Sequence, residues 1–288
     1  MNLNHIKRVC SVYFSPCGSV KQVVSTMAQC AGEQLHLPVE EMDFTLPEHR
    51  QGEYTFFSGD LVFFGTPVYA GRVPNKIMPY IRDSFAGNGA YAVPVVVFGN
   101  RNFDDALVEL SLLLEQNGFQ TAAGAAVVSR HSFSKVIAPD RPNEQDQTDW
   151  KEFVAKVLRK LEQEPNCAGK ISDLVPGTNP PEKYYTPLGI DGQPAKFLKA
   201  HPKTDPALCK KCGICVANCP MGTIQREDPS VIEGVCIKCQ SCIRKCPAQA
   251  KYFDDPAFLS HVEMLKRNYQ RAAKNEIFVS DGRENEIQ

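Results

Sequence analysis

Two stretches of this 288-residue chain repeat one cysteine spacing, C-x-x-C-x-x-C-x-x-x-C-P, and together they hold eight of its twelve cysteines. The first copy contains Cys209, Cys212, Cys215 and Cys219 and ends at Pro220; the second contains Cys236, Cys239, Cys242 and Cys246 and ends at Pro247. Three thiols at this spacing on a tight loop can wrap three corners of a cubic inorganic core. The fourth corner must then come from elsewhere in the chain.

This spacing is typical of segments that bind two iron–sulfur clusters, in which the fourth cysteine of each run ligates the other cluster. We therefore expect two 4Fe–4S clusters with crossed ligation. The first cluster would take Cys209, Cys212, Cys215 and Cys246, and the second Cys236, Cys239, Cys242 and Cys219. Crossing the ligands ties the two halves of the segment together.

Zinc and disulfides are the alternative uses of so many cysteines. Paired C-x-x-C motifs do bind tetrahedral zinc, but each run here holds three cysteines before its fourth, and the proline after the fourth belongs to the iron–sulfur pattern. Disulfide frameworks are typical of short secreted chains, and the first residues show no signal peptide. Cys10, Cys17, Cys30 and Cys167 stay outside the pattern.

Composition indicates a globular protein of one or two domains. The apolar fraction is 43%, and the longest apolar runs, such as Val93 to Phe98, are far too short to span a membrane. Reduced thiols without an export signal predict a cytoplasmic location. The net charge is −1, and no nucleic-acid-binding motif is present.

The first 165 residues alternate strand-like and helix-like segments. The strands are expected at Arg8–Phe14, Leu35–Phe44, Asp60–Gly65, Ala92–Gly99 and Ala122–Val128, although Pro94 interrupts the fourth. The helices are expected at Val20–Cys30, Phe103–Gln116 and Asp149–Leu161. This alternation predicts a doubly wound, five-stranded parallel sheet.

Three loops that follow predicted strands have unusual sequences. Parallel sheets of this kind bind ligands at the carboxyl ends of their strands. Small residues at a helix start favour an anion, and each of the other two loops places an aromatic residue among turn-forming or polar residues. The loops are Ser15, Pro16, Cys17, Gly18, Ser19 and Val20; Thr66, Pro67, Val68, Tyr69, Ala70 and Gly71; and Gly99, Asn100, Arg101, Phe103 and Asp104.

In these loops the first half resembles flavodoxin. The resemblance implies bound flavin mononucleotide (FMN), with its phosphate in the first loop and its ring between the other two. With the cysteine runs, the chain is similar to the flavodoxin–ferredoxin fusion proteins of anaerobic bacteria. That likeness implies an α/β flavodoxin-like domain over 1–165, and a small α+β bacterial two-cluster ferredoxin domain with a C-terminal helix over 203–288.

The first loop departs from the flavodoxin pattern, Ser/Thr-x-Thr-Gly-x-Thr. Cys17 and Val20 replace the two threonines, so two hydroxyl donors to a phosphate are missing. Each loop also has a simpler explanation. The first can be an ordinary strand-to-helix turn, Tyr69 and Phe103 can be loop packing, and Arg101 a solvated charge. His131, after the fifth strand, is kept out of the expected site because a lone histidine is more often structural.

Residues 166–202 form a connector rich in proline and glycine. Apolar residues within it, such as Tyr184, Tyr185 and Phe197, predict that it lies along a domain surface.

The expected function is intracellular electron transfer between FMN, the clusters and redox partner proteins, with a homo-oligomer left open. One alternative is a flavoenzyme that reduces a small substrate with electrons fed through the clusters, an FMN- and iron–sulfur-dependent oxidoreductase. No Gly-x-Gly-x-x-Gly fingerprint for a dinucleotide is present. Another alternative is a redox or iron sensor, but no output module is evident.

Overall fold

A computed structural model describes residues 3–164 and 170–280 of the chain. Its main feature is a sheet of five parallel strands, in the spatial order β2-β1-β4-β6-β8. The strands are β1 (Arg8–Tyr13), β2 (Val39–Asp43), β4 (Asp60–Pro67), β6 (Tyr91–Phe98) and β8 (Ala123–Val128). Counted along the chain this order is 2-1-3-4-5, the flavodoxin-like arrangement of a doubly wound sheet.

Helices cover both faces of this sheet, because alternate residues of each buried strand point to opposite sides. On one face, helices α1 (Ser19–Leu35) and α4 (Glu144–Gln163) pack on Val9, Leu61 and Val95. On the other face, α2 (Met78–Ser84) and α3 (Ala106–Gln116) pack on Val12, Phe64 and Val96. The two clusters of buried side chains form the core of this half.

All five predicted parallel strands are present, with shifts that have local causes. β2 begins only at Val39 because α1 continues to Leu35 and ends at His36, whose φ is 56°. α4 begins at Glu144, before the predicted Asp149, because Asn143 caps it. The Asn143 side chain accepts from the Asp146 N–H at 3.1 Å, and the Asp146 carboxylate accepts from the Asn143 N–H at 2.7 Å. Helix α2 was not predicted.

Pro94 is tolerated in the central strand β6 because of its position in the hydrogen-bond ladder. On one edge β6 pairs with β4. On the other edge, Tyr91 and Ala92 pair with the short strand β7 (Gln120–Thr121), and Val95–Phe98 pair with β8. Pro94 lies at the gap between these two pairings, where a missing N–H costs no ladder bond.

The sheet also gains an antiparallel edge strand that the sequence did not suggest. β11 (Glu276–Val279), near the end of the chain, pairs with β8 and makes the sheet mixed, with seven strands in all among the described residues. This strand falls in the segment assigned from sequence to the ferredoxin domain. The chain therefore returns to the first domain after the cysteine-rich part.

The cysteine-rich part contains two matching short helices, α5 (Ile214–Ala217) and α6 (Ser241–Arg244), one in each cysteine run. Two antiparallel strands, β9 (Lys203–Thr204) and β10 (Lys251–Tyr252), lie beside them. Helix α7 (Pro256–Asn268) follows, capped by Asp255, whose carboxylate accepts from the Phe258 N–H at 2.8 Å. Two further strands, β3 (Tyr54–Thr55) and β5 (Phe85–Ala86), pair beside the large sheet.

The connector is docked along most of its described length. Ile171 and Val175 are buried in the core of the first domain. The Tyr184 hydroxyl donates to the Val73 carbonyl at 2.8 Å, and the Tyr185 N–H donates to the Ala70 carbonyl at 2.9 Å. Further on, Phe197 packs against α7. Residues 166–169 of the predicted connector, including Cys167, lie outside the described residues.

No helix in the described part of the chain is both long and apolar enough to cross a lipid bilayer.

The return of the chain to the sheet depends on Asn100, which is 1% exposed. Its amide donates to the carbonyls of Tyr269 and Arg271 at 2.8 and 2.7 Å, and its carbonyl accepts from the Ala273 N–H at 2.9 Å. We expect Asn100→Ala to loosen residues 269–280, because each buried backbone group left unsatisfied costs about 1–3 kcal/mol. Tryptic cleavage after Arg271 and Lys274 should become at least about tenfold faster.

Asn268→Ala is the matched control, because Asn268 is exposed at the end of α7. An Asn100→Ala protein cleaved no faster than this control would show that Asn100 does not hold the tail.

Candidate functional site

The eight cysteines of the repeated runs lie around two small cavities. One cavity is lined by Cys209, Cys212, Cys215 and Cys246, and the other by Cys236, Cys239, Cys242 and Cys219. Each cavity thus takes three thiols from one run and the fourth from the other run. The structure brings together the same two sets of four residues that the sequence pattern indicates.

The two cavities differ in their surroundings. The wall of the Cys236 cavity includes Ile224, Ile232 and Phe253 with one lysine, Lys238, whereas the wall of the Cys209 cavity includes three lysines, Lys210, Lys211 and Lys251. Cys239 and Cys242 are buried, while Cys212 is exposed. Two thiols are buried around the Cys236 cavity and one, Cys215, around the Cys209 cavity, so we call the Cys236 cavity the drier of the two; the Cys209 cavity reaches the surface at Cys212.

The thiols of the drier cavity need a positive partner to lose their protons. Burial raises the pKa of Cys242 to about 12 and the pKa of Cys239 well above its usual range. Backbone N–H groups already point at several of the sulfurs, for example from Lys238 to Cys236 Sγ at 3.4 Å and from Ala250 to Cys246 Sγ at 3.3 Å. Such donors accompany the thiolate ligands of iron–sulfur clusters. In the part of the chain that is described, no three His, Cys, Asp or Glu side chains converge on one metal-ion position.

The turn before α1 has the geometry of an anion site. Gly18 caps the helix with a φ of 88°, a conformation that glycine adopts without strain. The Ser15 hydroxyl accepts from the Lys21 N–H at 2.9 Å, which closes the loop over the first helical turn. That turn contains no acidic residue, so the positive end of the helix dipole is not neutralised there.

This turn opens into a third cavity of about 550 Å³, between the sheet and the cysteine-rich part. Twelve of the residues expected at the flavin site line it. They are Ser15, Pro16, Cys17, Ser19, Val20, Pro67, Val68, Tyr69, Ala70, Gly71, Gly99 and Arg101. The three loops therefore meet at one edge of the sheet, as their positions after parallel strands predict.

The other five expected residues do not line this cavity. Thr66 is fully buried in the sheet, Phe103 is 4% exposed and packs on Phe98, and Asn100 holds the tail. Asp104 pairs with Arg101, and Gly18 caps α1 and has no side chain to line a cavity. Residue type and loop position predicted all five, but side-chain direction decides whether a loop residue reaches a ligand.

The cavity also contains residues that the sequence did not assign to it. The loop after β8 contributes Arg130, His131 and Phe133, and the connector contributes Tyr184, Tyr185, Phe197 and Leu198. The cysteine-rich part and α7 contribute Val235, Cys236, Ile237, Lys238, Cys239, Arg244, His261 and Leu265. Tyr184 and Tyr185 were a sequence signal that the connector lies against a domain. The position of the cysteine-rich loop in the cavity wall depends on tertiary contacts and had no such signal.

The charged side chains that line the cavity are all basic among the described residues. Lys76, Arg101, Arg130, Lys238 and Arg244 line it, whereas no aspartate or glutamate does so among the described residues. Arg101 lies over the Tyr185 ring at 4.2 Å from its centroid, so it is not the free surface charge that its loop suggested. The cavity is suited to a ligand that is aromatic and anionic.

His131 is uncharged in this environment. Burial, followed by the nearby charges of His261, Arg101 and Arg244, lowers the pKa of His131 to about 4. Its Nδ1 accepts from the Phe133 N–H at 3.1 Å, so near neutral pH the ring proton lies on Nε2. His131 therefore belongs to the cavity wall as a neutral hydrogen-bonding group, although the sequence interpretation left it out of the expected site.

The large cavity and the drier cysteine cavity share a wall. Cys236, Ile237, Lys238 and Cys239 line both. The Cys17 thiol, in the turn before α1, donates to the Cys239 carbonyl at 2.9 Å. The anion-binding turn of one domain is thus in direct contact with a cysteine loop of the other.

Comparison with known families and structures agrees with this division. A family described as a 4Fe-4S dicluster domain matches residues 201–247. No curated protein matches the chain.

Several solved structures are similar to the first half. A flavodoxin from the domain Archaea is 13% identical with a TM-score of 0.37, over 54% of this chain and 99% of that one. A short-chain flavodoxin associated with a non-canonical PDU bacterial microcompartment is 11% identical with a TM-score of 0.38, over 53% and 98%. The rubredoxin oxygen:oxidoreductase from Desulfovibrio gigas is 14% identical with a TM-score of 0.36, over 57% of this chain and 38% of that one.

The strand order of the large sheet establishes the flavodoxin-like fold independently of these likenesses. The dicluster match identifies the cysteine-rich part as a ferredoxin-type domain. The chain therefore combines a flavodoxin-like domain with a 4Fe-4S dicluster domain.

Proposed function

We propose that this protein transfers electrons between FMN, bound in the large cavity, and two 4Fe–4S clusters, bound in the two cysteine cavities. The observation that carries the proposal is the wall of Cys236, Ile237, Lys238 and Cys239 that the large cavity and the drier cysteine cavity share. Two redox centres on opposite sides of one four-residue loop are close enough to exchange electrons without a carrier.

Several features of the large cavity suit FMN. Its volume of about 550 Å³ lies in the range of small-molecule sites, and its walls provide Tyr69, Tyr184 and Tyr185 for a flat ring. The turn at Ser15–Val20 suits a terminal phosphate, and the uncompensated basic residues favour an anion. Bound there, FMN would supply exchange of one or two electrons, whereas each cluster would exchange one.

The two cysteine cavities suggest different roles. The one lined by Cys239 and Cys242 is buried and borders the large cavity, so its cluster would face the flavin. The one lined by Cys212 is open to solvent and has Lys210 and Lys211 at its rim. Its cluster would exchange electrons with redox partner proteins, and the lysines would favour an acidic partner surface.

A second function, reduction of a small substrate at the flavin, is favoured by one observation. His131 lines the large cavity with an N–H on Nε2, and such a group can donate a hydrogen bond or proton to a bound substrate. The two functions differ in a simple test. A flavoenzyme would be reoxidised by its small substrate in the absence of any partner protein, and His131→Gln would slow that reoxidation.

The crossed ligation predicts an effect of Cys219→Ser at a distance in sequence. Cys219 belongs to the first run, but it lines the cavity of the second. Wild-type protein reconstituted anaerobically should contain about eight iron atoms. Cys219→Ser should lose the same cluster as Cys242→Ser, and the two variants should share an electron paramagnetic resonance (EPR) spectrum that differs from that of Cys215→Ser.

Cys30→Ser is the control, because Cys30 lies on α1 outside both cavities, and its iron content should not change. A Cys219→Ser spectrum that matches Cys215→Ser instead would contradict the crossed assignment.

Electron transfer within one chain predicts first-order kinetics. After rapid mixing with a low-potential donor, flavin and cluster absorbance should reach equilibrium at a rate that does not change with protein concentration. Cys242→Ser should abolish this phase, because it removes the cluster beside the flavin, and Cys30→Ser should retain it. A rate that rises in proportion to protein concentration would mean that the centres exchange electrons only between molecules.

A further inference from the structure

The turn that would hold the FMN phosphate supplies few donors and no cation of its own. The Ser15 hydroxyl accepts from the Lys21 N–H and keeps its own proton to donate, but the Cys17 thiol already donates to the Cys239 carbonyl. The Lys21 side chain turns away and pairs with Glu41 at 2.6 Å. A phosphate that carries up to two negative charges would therefore need a positive partner from outside this turn.

The basic residues of the large cavity differ in their freedom to meet a phosphate. Arg101 is paired with Asp104, and the Lys238 ammonium donates to the Leu198 and Cys236 carbonyls at 2.9 and 3.3 Å. Lys76 and Arg130 are solvent-exposed. Arg244 is half-buried, and no carboxylate pairs with it among the described residues.

Arg244 also lies next to the turn. Arg244 lines the large cavity together with Ser15, Cys17 and Ser19 of that turn, and its charge interacts with the Cys17 thiol. It belongs to α6, which also carries Cys242, so its backbone position is fixed by the cysteine-rich part and not by the sheet. A guanidinium in this place can form two parallel hydrogen bonds to phosphate oxygens.

We propose that Arg244 is a phosphate-binding residue of the FMN site, so that the ferredoxin-type domain supplies the cation that the phosphate turn of the flavodoxin-like domain lacks. This inference rests on the proposed function, since it requires FMN in the large cavity. The inference has a consequence for assembly. Because α6 carries both Cys242, a cluster ligand, and Arg244, a flavin-binding residue, binding of FMN and order in the second cysteine run favour one another.

The test compares FMN with riboflavin, which has the same ring and no phosphate. Flavin-free protein with intact clusters is titrated with each compound, and binding is followed by quenching of flavin fluorescence. Arg244→Gln should bind FMN about 10- to 100-fold more weakly than wild type, because it removes charge-assisted hydrogen bonds. Its affinity for riboflavin should not change, and Arg244→Lys should lie between the two.

Lys245→Gln is the matched control, because it removes one positive charge at the next position, where the side chain is exposed and donates to Asn218 Oδ1 at 2.7 Å. It should bind FMN as wild type does, and iron content confirms that each variant keeps its clusters. An Arg244→Gln protein that loses FMN and riboflavin affinity equally, or loses neither, would overturn the proposal.

A second pair of variants separates this inference from the proposed function. Gly18→Asp places a carboxylate between Cys17 and Ser19, which line the cavity, whereas Gly18→Asn has nearly the same shape without the charge. FMN binding should be lost in Gly18→Asp and largely kept in Gly18→Asn. If this pair behaves so and Arg244→Gln binds FMN normally, only the role of Arg244 is wrong. If wild-type protein binds neither flavin, the proposed function fails, and the role of Arg244 fails with it.

Discussion

The contact between the turn before α1 and the loop of the second cysteine run determines how the two halves of this protein can work together. The Cys17 thiol donates to the Cys239 carbonyl at 2.9 Å, and residues 236–239 form a wall common to the large cavity and the drier cysteine cavity. A cysteine at position 17 is a weak hydrogen-bond donor to a phosphate, but its thiol can meet a carbonyl of the neighbouring domain. Cys17, which replaces a threonine of the flavodoxin pattern, is thus the residue that contacts the neighbouring domain.

This contact is maintained by chain segments that cross between the domains on both sides. The connector binds the rim of the large cavity through Tyr184 and Tyr185 before it reaches α7. After α7, the chain returns, is fixed by Asn100, and ends its described part as β11 in the large sheet. An extended tether would let the domains separate, whereas two docked crossings keep one cavity beside the other. Such an arrangement suits rapid exchange between two fixed centres.

Local patterns in the sequence were sufficient to predict the five parallel strands, the two sets of cysteines and the three loops at one edge of the sheet. Each of these depends on residues close in sequence or on a repeated spacing. The edge strand β11, the connector in the cavity wall and the position of Arg244 were not predictable in this way, because each depends on partners more than one hundred residues away. Asn100 and Phe103 show the same limit within one loop, since tertiary packing turns both side chains away from the cavity.

The most direct test of a shared wall is the magnetic effect of a cluster on the flavin. EPR power saturation of the one-electron-reduced flavin measures its spin relaxation, which a paramagnetic reduced cluster accelerates only at short range. Relaxation should be fast in reduced wild-type protein and in Cys215→Ser, which keeps the cluster beside the flavin, and slow in Cys242→Ser, which loses it. Two results would contradict the shared wall. One is flavin relaxation in wild type that is as slow as in Cys242→Ser. The other is fast relaxation in wild type and in Cys242→Ser, with slow relaxation only in Cys215→Ser.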